Sequence, residues 1–167
     1  MSIKVHHMLL KGWHAWVAGS FLVAYLTADE DTYAMHLFAG YAVLAAIAAR
    51  LLVGVLAPAS SPLSLPRPSL RAAQSWIATG RGRHPLFAIL AVALLAMVGG
   101  AAVSGVFADA LPWLEDPHEA IAEASLLVIF GHIAFVAYTY GGRRLLGKLT
   151  ARFNETRPST QSREQSA

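Results

Sequence analysis

The chain has no cysteine among its 167 residues. Disulfides, thiolate metal sites, iron-sulfur clusters and covalently attached haem all need cysteine and are excluded. Charged residues are also scarce, at 14% of the chain, whereas average soluble proteins have about 25%. Hydrophobic residues make up 56%. This composition predicts an integral membrane protein, in which any cofactor is held by ligands other than thiolates.

Four hydrophobic segments are long enough to cross a bilayer, because about 20 helical residues span its hydrocarbon core. They lie at about 8–27, 34–56, 86–108 and 120–140. A signal peptide is the alternative for the first segment, but it is long for one and the following sequence ADED is a poor cleavage site. We predict an all-α protein, an integral membrane four-helix bundle over 1–150, with a disordered tail over 151–167.

Charge is distributed unevenly between the two sides of this predicted bundle. The loops 28–33 and 110–119 are acidic and contain no Lys or Arg. The opposite side carries the basic residues Lys4, Lys11, Arg67, Arg71, Arg81, Arg83, Arg143, Arg144, Lys148 and Arg152. By the positive-inside rule both termini and the middle loop are cytoplasmic, and in a bacterial inner membrane the acidic loops face the periplasm. The net charge of +3 is then explained by topology, and a nucleic-acid partner has no separate support.

Four histidines lie within or at the ends of the predicted spans. His118 and His132 are fourteen residues apart, which places them within roughly 40° on one helix face and about 21 Å apart along it. With the topology above, His14 matches the depth of His132, and His36 matches the depth of His118. A lone intramembrane histidine is often a proton relay or a packing residue. Two pairs at two depths instead match the axial nitrogens of two b-type haems.

Other metals and other histidines give weaker predictions. Zinc or copper is disfavoured, because two histidines without cysteine or convergent carboxylates make an incomplete ligand set. His6, His7 and His84 are expected to be solvated at the cytoplasmic boundary, where one of them could carry protons to a quinone. His6 or His7 could also replace His14 through a register shift, although both would lie further out.

Small and basic residues near the histidines suggest further contacts. Gly40 follows His36 by four residues and shares its face, where a flat macrocycle could approach the backbone. Arg50 follows His36 by fourteen residues and could pair with the propionates of the inner haem. Helix packing by small residues and a snorkelling arginine are the respective alternatives. The pairs Gly99-Gly100 and Ser104-Gly105 favour close helix contact, and 70–79 is compatible with a short interfacial amphipathic helix.

Four motifs, in order along the chain, carry a resemblance to a known family. They are KGWHAW, HLFAGY followed by Arg50, GRHP, and HEAIAEASLLVIFGHIA. These are similar to the patterns R-x-x-H-W, H-x-x-x-G-Y followed by Arg, G-H-N-P, and H-E to H. The whole of 11–148 thus resembles the bacterial four-helix di-haem cytochrome b family, which includes prokaryotic cytochrome b-561 and the B-type cytochrome subunit of nickel-iron hydrogenases. The chain departs from these patterns at Lys11 and Trp16, and it lacks the asparagine between His84 and Pro85.

The resemblance implies axial ligation by His14, His36, His118 and His132, and electron exchange with quinone in the membrane. We therefore expect a di-haem cytochrome that moves electrons between a periplasmic redox partner and the quinone pool. The alternatives are a superoxide:quinone oxidoreductase, a haem-bearing anchor subunit of a periplasmic dehydrogenase or hydrogenase, and a haem-free transporter or structural protein. The acidic outer loops would repel superoxide, so they favour a cationic partner such as a basic c-type cytochrome.

Overall fold

The computed structural model describes residues 3–81 and 84–142, and these residues form helices joined by turns, with no β-strand among them. The prediction of an all-α protein is confirmed for this part of the chain. The α-helices are α1 (Ile3–Leu26), α2 (Tyr33–Leu56), α3 (Leu70–Thr79), α4 (Leu86–Ala108) and α5 (Glu115–Ala137). The chain divides into two compact units, Met1–Ile129 and Phe130–Ala167, with the division inside α5.

Some predictions fall on residues outside the described part of the chain. These are the tail 151–167 and the basic residues Arg83, Arg143, Arg144, Lys148 and Arg152.

Three helical segments are long and apolar enough to cross a membrane: Glu30–Leu56, Leu86–Ala108 and Pro112–Gly142. Large apolar side chains on them are open to the surroundings, as at Phe38, Val55 and Leu127, which are 79%, 73% and 74% exposed. Such exposure suits contact with lipid rather than water. Helix α1 is as long as α2, with 24 residues. It is not among the three segments, since polar residues such as Lys11 and His14 interrupt its apolar sequence.

Local sequence explains where the short helix and the last helix begin and end. The Ser69 hydroxyl accepts a hydrogen bond from the Ala72 N–H and caps α3 at its N-terminus. Gly80, at φ 63°, ends α3 in the left-handed conformation that glycine adopts most readily. In α5, Pro117 lies in the first turn, where a missing N–H removes no helical bond, and Glu115 and Asp116 favour the helix dipole there.

Helix α2 lies at the centre of the first unit. It packs against α1 on one side and α4 on the other. Val43 and Ile47 of α2 form the buried core with Val98 of α4. Partly buried apolar residues around this core are Trp13, Val17, Phe21, Leu95, Ala102 and Ile129. The Trp13 indole N–H also donates to the Ala46 carbonyl at 2.8 Å, which fixes α1 against α2.

Glycines bring α4 close to its neighbours. A Cβ at Gly99 would lie 3.4 Å from Cγ2 of Ile47 on α2, and a Cβ at Gly100 would lie 3.7 Å from Cγ2 of Ile121 on α5. Consecutive small residues therefore face two different helices. This confirms the predicted close helix contact for Gly99, where α4 packs against α2.

Candidate functional site

His36 of α2 and His118 of α5 lie beside each other in the first unit. Their ring centroids are 6.1 Å apart, and the ring planes are inclined by 78°. Both residues lie near the start of their helices, in the first turn of α2 and of α5. A metal ion with a nitrogen about 2 Å away on each side would hold two imidazole centroids about 6 Å apart. The observed spacing matches that arrangement.

Both rings are held through the same nitrogen. His36 Nδ1 is 2.8 Å from the Ala24 carbonyl oxygen, and His118 Nδ1 is 3.0 Å from the Ala101 carbonyl oxygen. A carbonyl oxygen can only accept, so in a neutral imidazole Nδ1 carries the proton and Nε2 keeps its lone pair. An Nδ1–H bonded to a backbone carbonyl is a common means of orienting histidines that bind metal through Nε2. Both residues are therefore prepared as nitrogen ligands.

The His118 ring also lies against the backbone of α4. A Cβ at Gly105 would approach Cε1 of His118 to 2.8 Å and its Nδ1 to 3.3 Å. The neighbouring Ser104 hydroxyl is 3.2 Å from the same Nδ1 and donates to the Ala101 carbonyl at 3.0 Å. The Ser104-Gly105 pair, predicted to allow close helix contact, thus forms a cradle for an imidazole.

Tyr33 supports the other ring. Its ring stacks on His36 with centroids 5.9 Å apart and planes inclined by 11°. The Tyr33 hydroxyl donates to Asp109 Oδ1 at 3.2 Å. Since Tyr33 begins α2 and Asp109 follows α4, this hydrogen bond links the ends of two helices beside the histidine pair.

A cavity of about 630 Å³ adjoins the two histidines. This volume lies within the range of about 300–1,000 Å³ typical of sites for small molecules and cofactors. Small residues line much of its wall, namely Ala24, Ala28, Gly40, Ala101, Ala102, Gly105, Ala108 and Ala122. Aromatic residues line it at Phe21, Tyr25, Tyr33 and Tyr41, and carboxylates at Asp109, Glu115, Glu119 and Glu123. The cavity therefore combines flat apolar walls with an acidic part.

Gly40 lies where the sequence placed it, on the cavity wall beside the histidine pair. A Cβ at this position would meet no atom within 4 Å, so the space next to its backbone is open. Helix packing, the alternative for this glycine, requires a neighbour in that space. The predicted contact of Gly40 with a macrocycle stays a prediction.

Arg50 is buried in the C-terminal half of α2, at 9% exposure. Its Nη1 donates to the Leu63 carbonyl at 2.8 Å and its Nη2 to the Ser64 carbonyl at 3.2 Å. The guanidinium carbon lies 5.7 Å from the Trp13 ring centroid, within reach of a cation–π interaction. Because a guanidinium has five N–H groups, these two bonds leave donors for another acceptor. Its predicted role toward a propionate stays a prediction.

The predicted inner histidines lie in different units. His14 is an exposed residue of α1 in the first unit, with its ring centroid 6.4 Å from that of Trp13. His132 is a half-buried residue in the part of α5 that belongs to the second unit. Their pairing stays a prediction. His84, expected to be solvated, instead lies half-buried with its ring centroid 4.1 Å from that of Trp76.

Among residues 3–81 and 84–142, no three His, Asp or Glu side chains converge as metal ligands. The pair His36 and His118 offers two nitrogens, so further ligands to a metal ion would come from the cofactor itself. A porphyrin supplies four such nitrogens in one plane and leaves two axial positions. The donor set therefore fits a haem better than a lone zinc or copper ion.

Several residues of this site were not predicted from the sequence. Tyr33 lies three residues before His36 on one helix, and that spacing could have indicated their contact. Asp109 and the carbonyls of Ala24 and Ala101 come from other parts of the chain, so no local pattern marks them.

Comparison with known proteins found no matching family, no matching curated protein and no matching solved structure.

Proposed function

We propose that this chain is an integral membrane di-haem b-type cytochrome that transfers electrons between a periplasmic redox partner and the quinone pool. The observation that carries the proposal is the pair His36 and His118 at a 630 Å³ cavity, with both Nδ1 atoms bonded to backbone carbonyls. The tautomer, the ring spacing and the small-residue wall all suit one outer haem. The resemblance to the bacterial di-haem cytochrome b family in four ordered motifs points to the same function.

In this proposal His36 and His118 are the axial ligands of the outer haem, and Gly40 leaves room for the macrocycle. His14 and His132 are the axial ligands of the inner haem, with Arg50 near its propionates. Bound haems supply reversible one-electron transfer, and two of them at different depths supply a path through the apolar core. The protein residues hold the ligand nitrogens in the correct tautomer and exclude water from the apolar walls.

The proposed topology has four spans, namely α1 and the three apolar segments that follow it. Support comes from its 24-residue length and its packing against α2. The Trp13 indole N–H donates to the Ala46 carbonyl, so a polar group at this contact has the partner that a helix in lipid requires. Both termini and the loop that contains α3 are then cytoplasmic, because the acidic loops carry no Lys or Arg.

The acidic part of the cavity indicates the charge of the outer partner. Asp109, Glu115, Glu119 and Glu123 line the cavity beside the outer histidine pair, and the loops around it contain no basic residue. Opposite charges steer association and raise its rate, whereas an anion is repelled. A basic electron-transfer protein, such as a basic c-type cytochrome, is therefore a better partner than superoxide.

A second candidate is a haem-bearing anchor subunit of a periplasmic dehydrogenase or hydrogenase. The connections that would face the periplasm are short, because α1 ends at Leu26 and α2 begins at Tyr33, while α4 ends at Ala108 and α5 begins at Glu115. Such loops leave little protein to bind a substrate outside the membrane. Copurification of a periplasmic enzyme with the chain at fixed stoichiometry would favour this role.

Reconstituted protein tests the proposed activity. Proteoliposomes containing the purified chain and ubiquinol or menaquinol should show haem reduction by quinol, with reoxidation by a basic c-type cytochrome that slows as salt is raised. The His36→Ala variant serves as the control for the outer haem. Haem reduction that is insensitive to quinol would contradict the quinone-linked function, and equal rates with superoxide would contradict the preference for a cationic partner.

A further inference from the structure

The short helix α3 has an exposed apolar face. Leu70 and Ile77 are 84% and 76% exposed, and they lie seven residues apart, about two helical turns, on one side of α3. Ala73 and Trp76 fall on the same side by helical periodicity. Arg71, Ser75 and Thr79 lie on the opposite side. A water-soluble surface would not normally leave two large aliphatic side chains of one short helix so open.

The segment around α3 is positively charged. Residues 57–85 contain four arginines and no acidic residue. Three of these, Arg67, Arg71 and Arg81, are described and exposed. No carboxylate of the segment competes for them, so their charges are available to an anionic surface.

Helix α3 is already formed between two segments that are able to cross a membrane. It connects the end of α2 at Leu56 with the start of α4 at Leu86, and both of these helices belong to segments able to cross a membrane. Caps at Ser69 and Gly80 define its ends. Arg50 of α2 donates to the carbonyls of Leu63 and Ser64 in the loop before α3. These hydrogen bonds hold that loop against α2. Little conformational entropy is then lost when the helix meets a surface.

Trp76 strengthens the case for an interfacial position. Its indole lies against the His84 ring, with centroids 4.1 Å apart, and His84 Nδ1 accepts a hydrogen bond from the Leu86 N–H at the start of α4. The aromatic pair thus connects α3 to the first turn of a membrane-spanning helix. Tryptophan is enriched at this level of the bilayer.

We propose that α3 is a lipid-binding helix that inserts Leu70 and Ile77 into the cytoplasmic leaflet, while Arg67, Arg71 and Arg81 bind the headgroups of anionic phospholipids. Amphipathic helices of this kind bury their apolar face about 5–10 Å into the boundary between headgroups and acyl chains. The inference is independent of haem. It assigns to the cytoplasmic loop a role in selecting the lipids around the protein.

Single cysteines provide the first test, because the natural chain contains none. Full-length Ile77→Cys and Ser75→Cys variants, each spin-labelled and reconstituted in phosphatidylcholine with phosphatidylglycerol, report the two faces of α3. The Ile77→Cys label should collide more with oxygen than with a water-soluble nickel complex, and the Ser75→Cys label should show the reverse. Equal access of the nickel complex to both labels would overturn the proposal. So would shielding of Ile77→Cys that appears only as the protein dimerises, which would assign the face to a second copy.

The second test measures lipid preference. A triple variant, Arg67→Gln with Arg71→Gln and Arg81→Gln, is compared with Gln74→Ala, an uncharged change on the same helix. Each arginine near an anionic surface contributes about fivefold to its binding. The triple variant should therefore lose most of the preference for spin-labelled phosphatidylglycerol over phosphatidylcholine, and Gln74→Ala should keep it. A triple variant with the natural preference would overturn the role of the arginines.

Discussion

His36 and His118 each use one ring nitrogen for orientation and leave the other for a ligand. The backbone carbonyls that accept from their Nδ1 atoms belong to Ala24 on α1 and Ala101 on α4. Four helices therefore contribute to one pair of imidazoles. In the neutral form of each ring, a proton on Nδ1 leaves the lone pair of Nε2 for a metal.

Replacement of either outer histidine should remove the outer haem alone. His36→Ala and His118→Ala should each lower the haem content from about two to about one per chain, since a six-coordinate haem depends on both axial nitrogens. A pyridine haemochrome assay on purified protein measures this. His84→Ala removes a histidine away from the cavity and should retain both haems. Unchanged haem in His36→Ala or His118→Ala would show that the pair is misassigned.

Gly105→Ala tests the cradle behind His118. The new Cβ would lie 2.8 Å from Cε1 of that ring, so the ring must move away from the Ala101 carbonyl. Overpacking of this kind costs about 1–3 kcal/mol. We expect weaker retention of the outer haem and a shifted reduction potential in a redox titration. Gly100→Ala is the matched control, because its Cβ would make an ordinary contact of 3.7 Å with Ile121; equal behaviour of the two variants would contradict the cradle.

Among the elements, α2 carries residues of two regions, the histidine site and the loop that follows the helix. Its first turn carries His36, its middle forms the core with α4, and its last turns hold Arg50 and Gly54, which are buried. Arg50 binds the loop after α2, and Gly54 gives that loop room, since a Cβ there would lie 2.6 Å from Cγ of Leu65. The helix thus contributes both to the site of His36 and His118 and to the position of the loop that follows it.

Gly54→Ala should loosen the loop 57–69. The added methyl group conflicts with both Leu65 and the Arg50 guanidinium, at a cost of about 1–3 kcal/mol. Limited proteolysis in detergent should cut the loop 57–69 faster than in the natural protein, while the haem content stays the same. Gly19→Ala is the control, as a Cβ there meets no atom within 4 Å. Equal cleavage of the two variants would show that Leu65 adjusts freely.

Sequence patterns predicted the elements better than the contacts between them. Helical periodicity and hydropathy identified the short helix over 70–79 and the three apolar segments, because these properties are local. The sequence paired His36 with His118, and the structure brings these two residues together; their depth in a membrane stays a prediction. The loop contacts of Arg50 and the position of His118 against Gly105 join residues far apart in the chain. No local pattern records such contacts, so they could not be predicted.

For the whole molecule, the charge distribution makes a prediction about topology. Asp31 lies in a loop without basic residues, and Ser60 lies in the loop that contains the arginines. In intact cells, a membrane-impermeant maleimide should label Asp31→Cys and leave Ser60→Cys unlabelled until the membrane is permeabilised. The cysteine-free natural chain is the blank. Labelling of both positions from the same side would contradict α2 as a span with these two loops on opposite faces.

The most direct test of the central proposal is the dithionite-reduced minus oxidised absorption spectrum of the detergent-purified chain, with haem measured per protein. We expect the spectrum of low-spin b-type haem at about two haems per chain, as two histidine pairs at two depths require. One haem would mean that one of the two histidine pairs is misassigned. A chain that contains no haem after gentle purification from haem-sufficient cells would contradict the proposal and favour a transporter or structural protein.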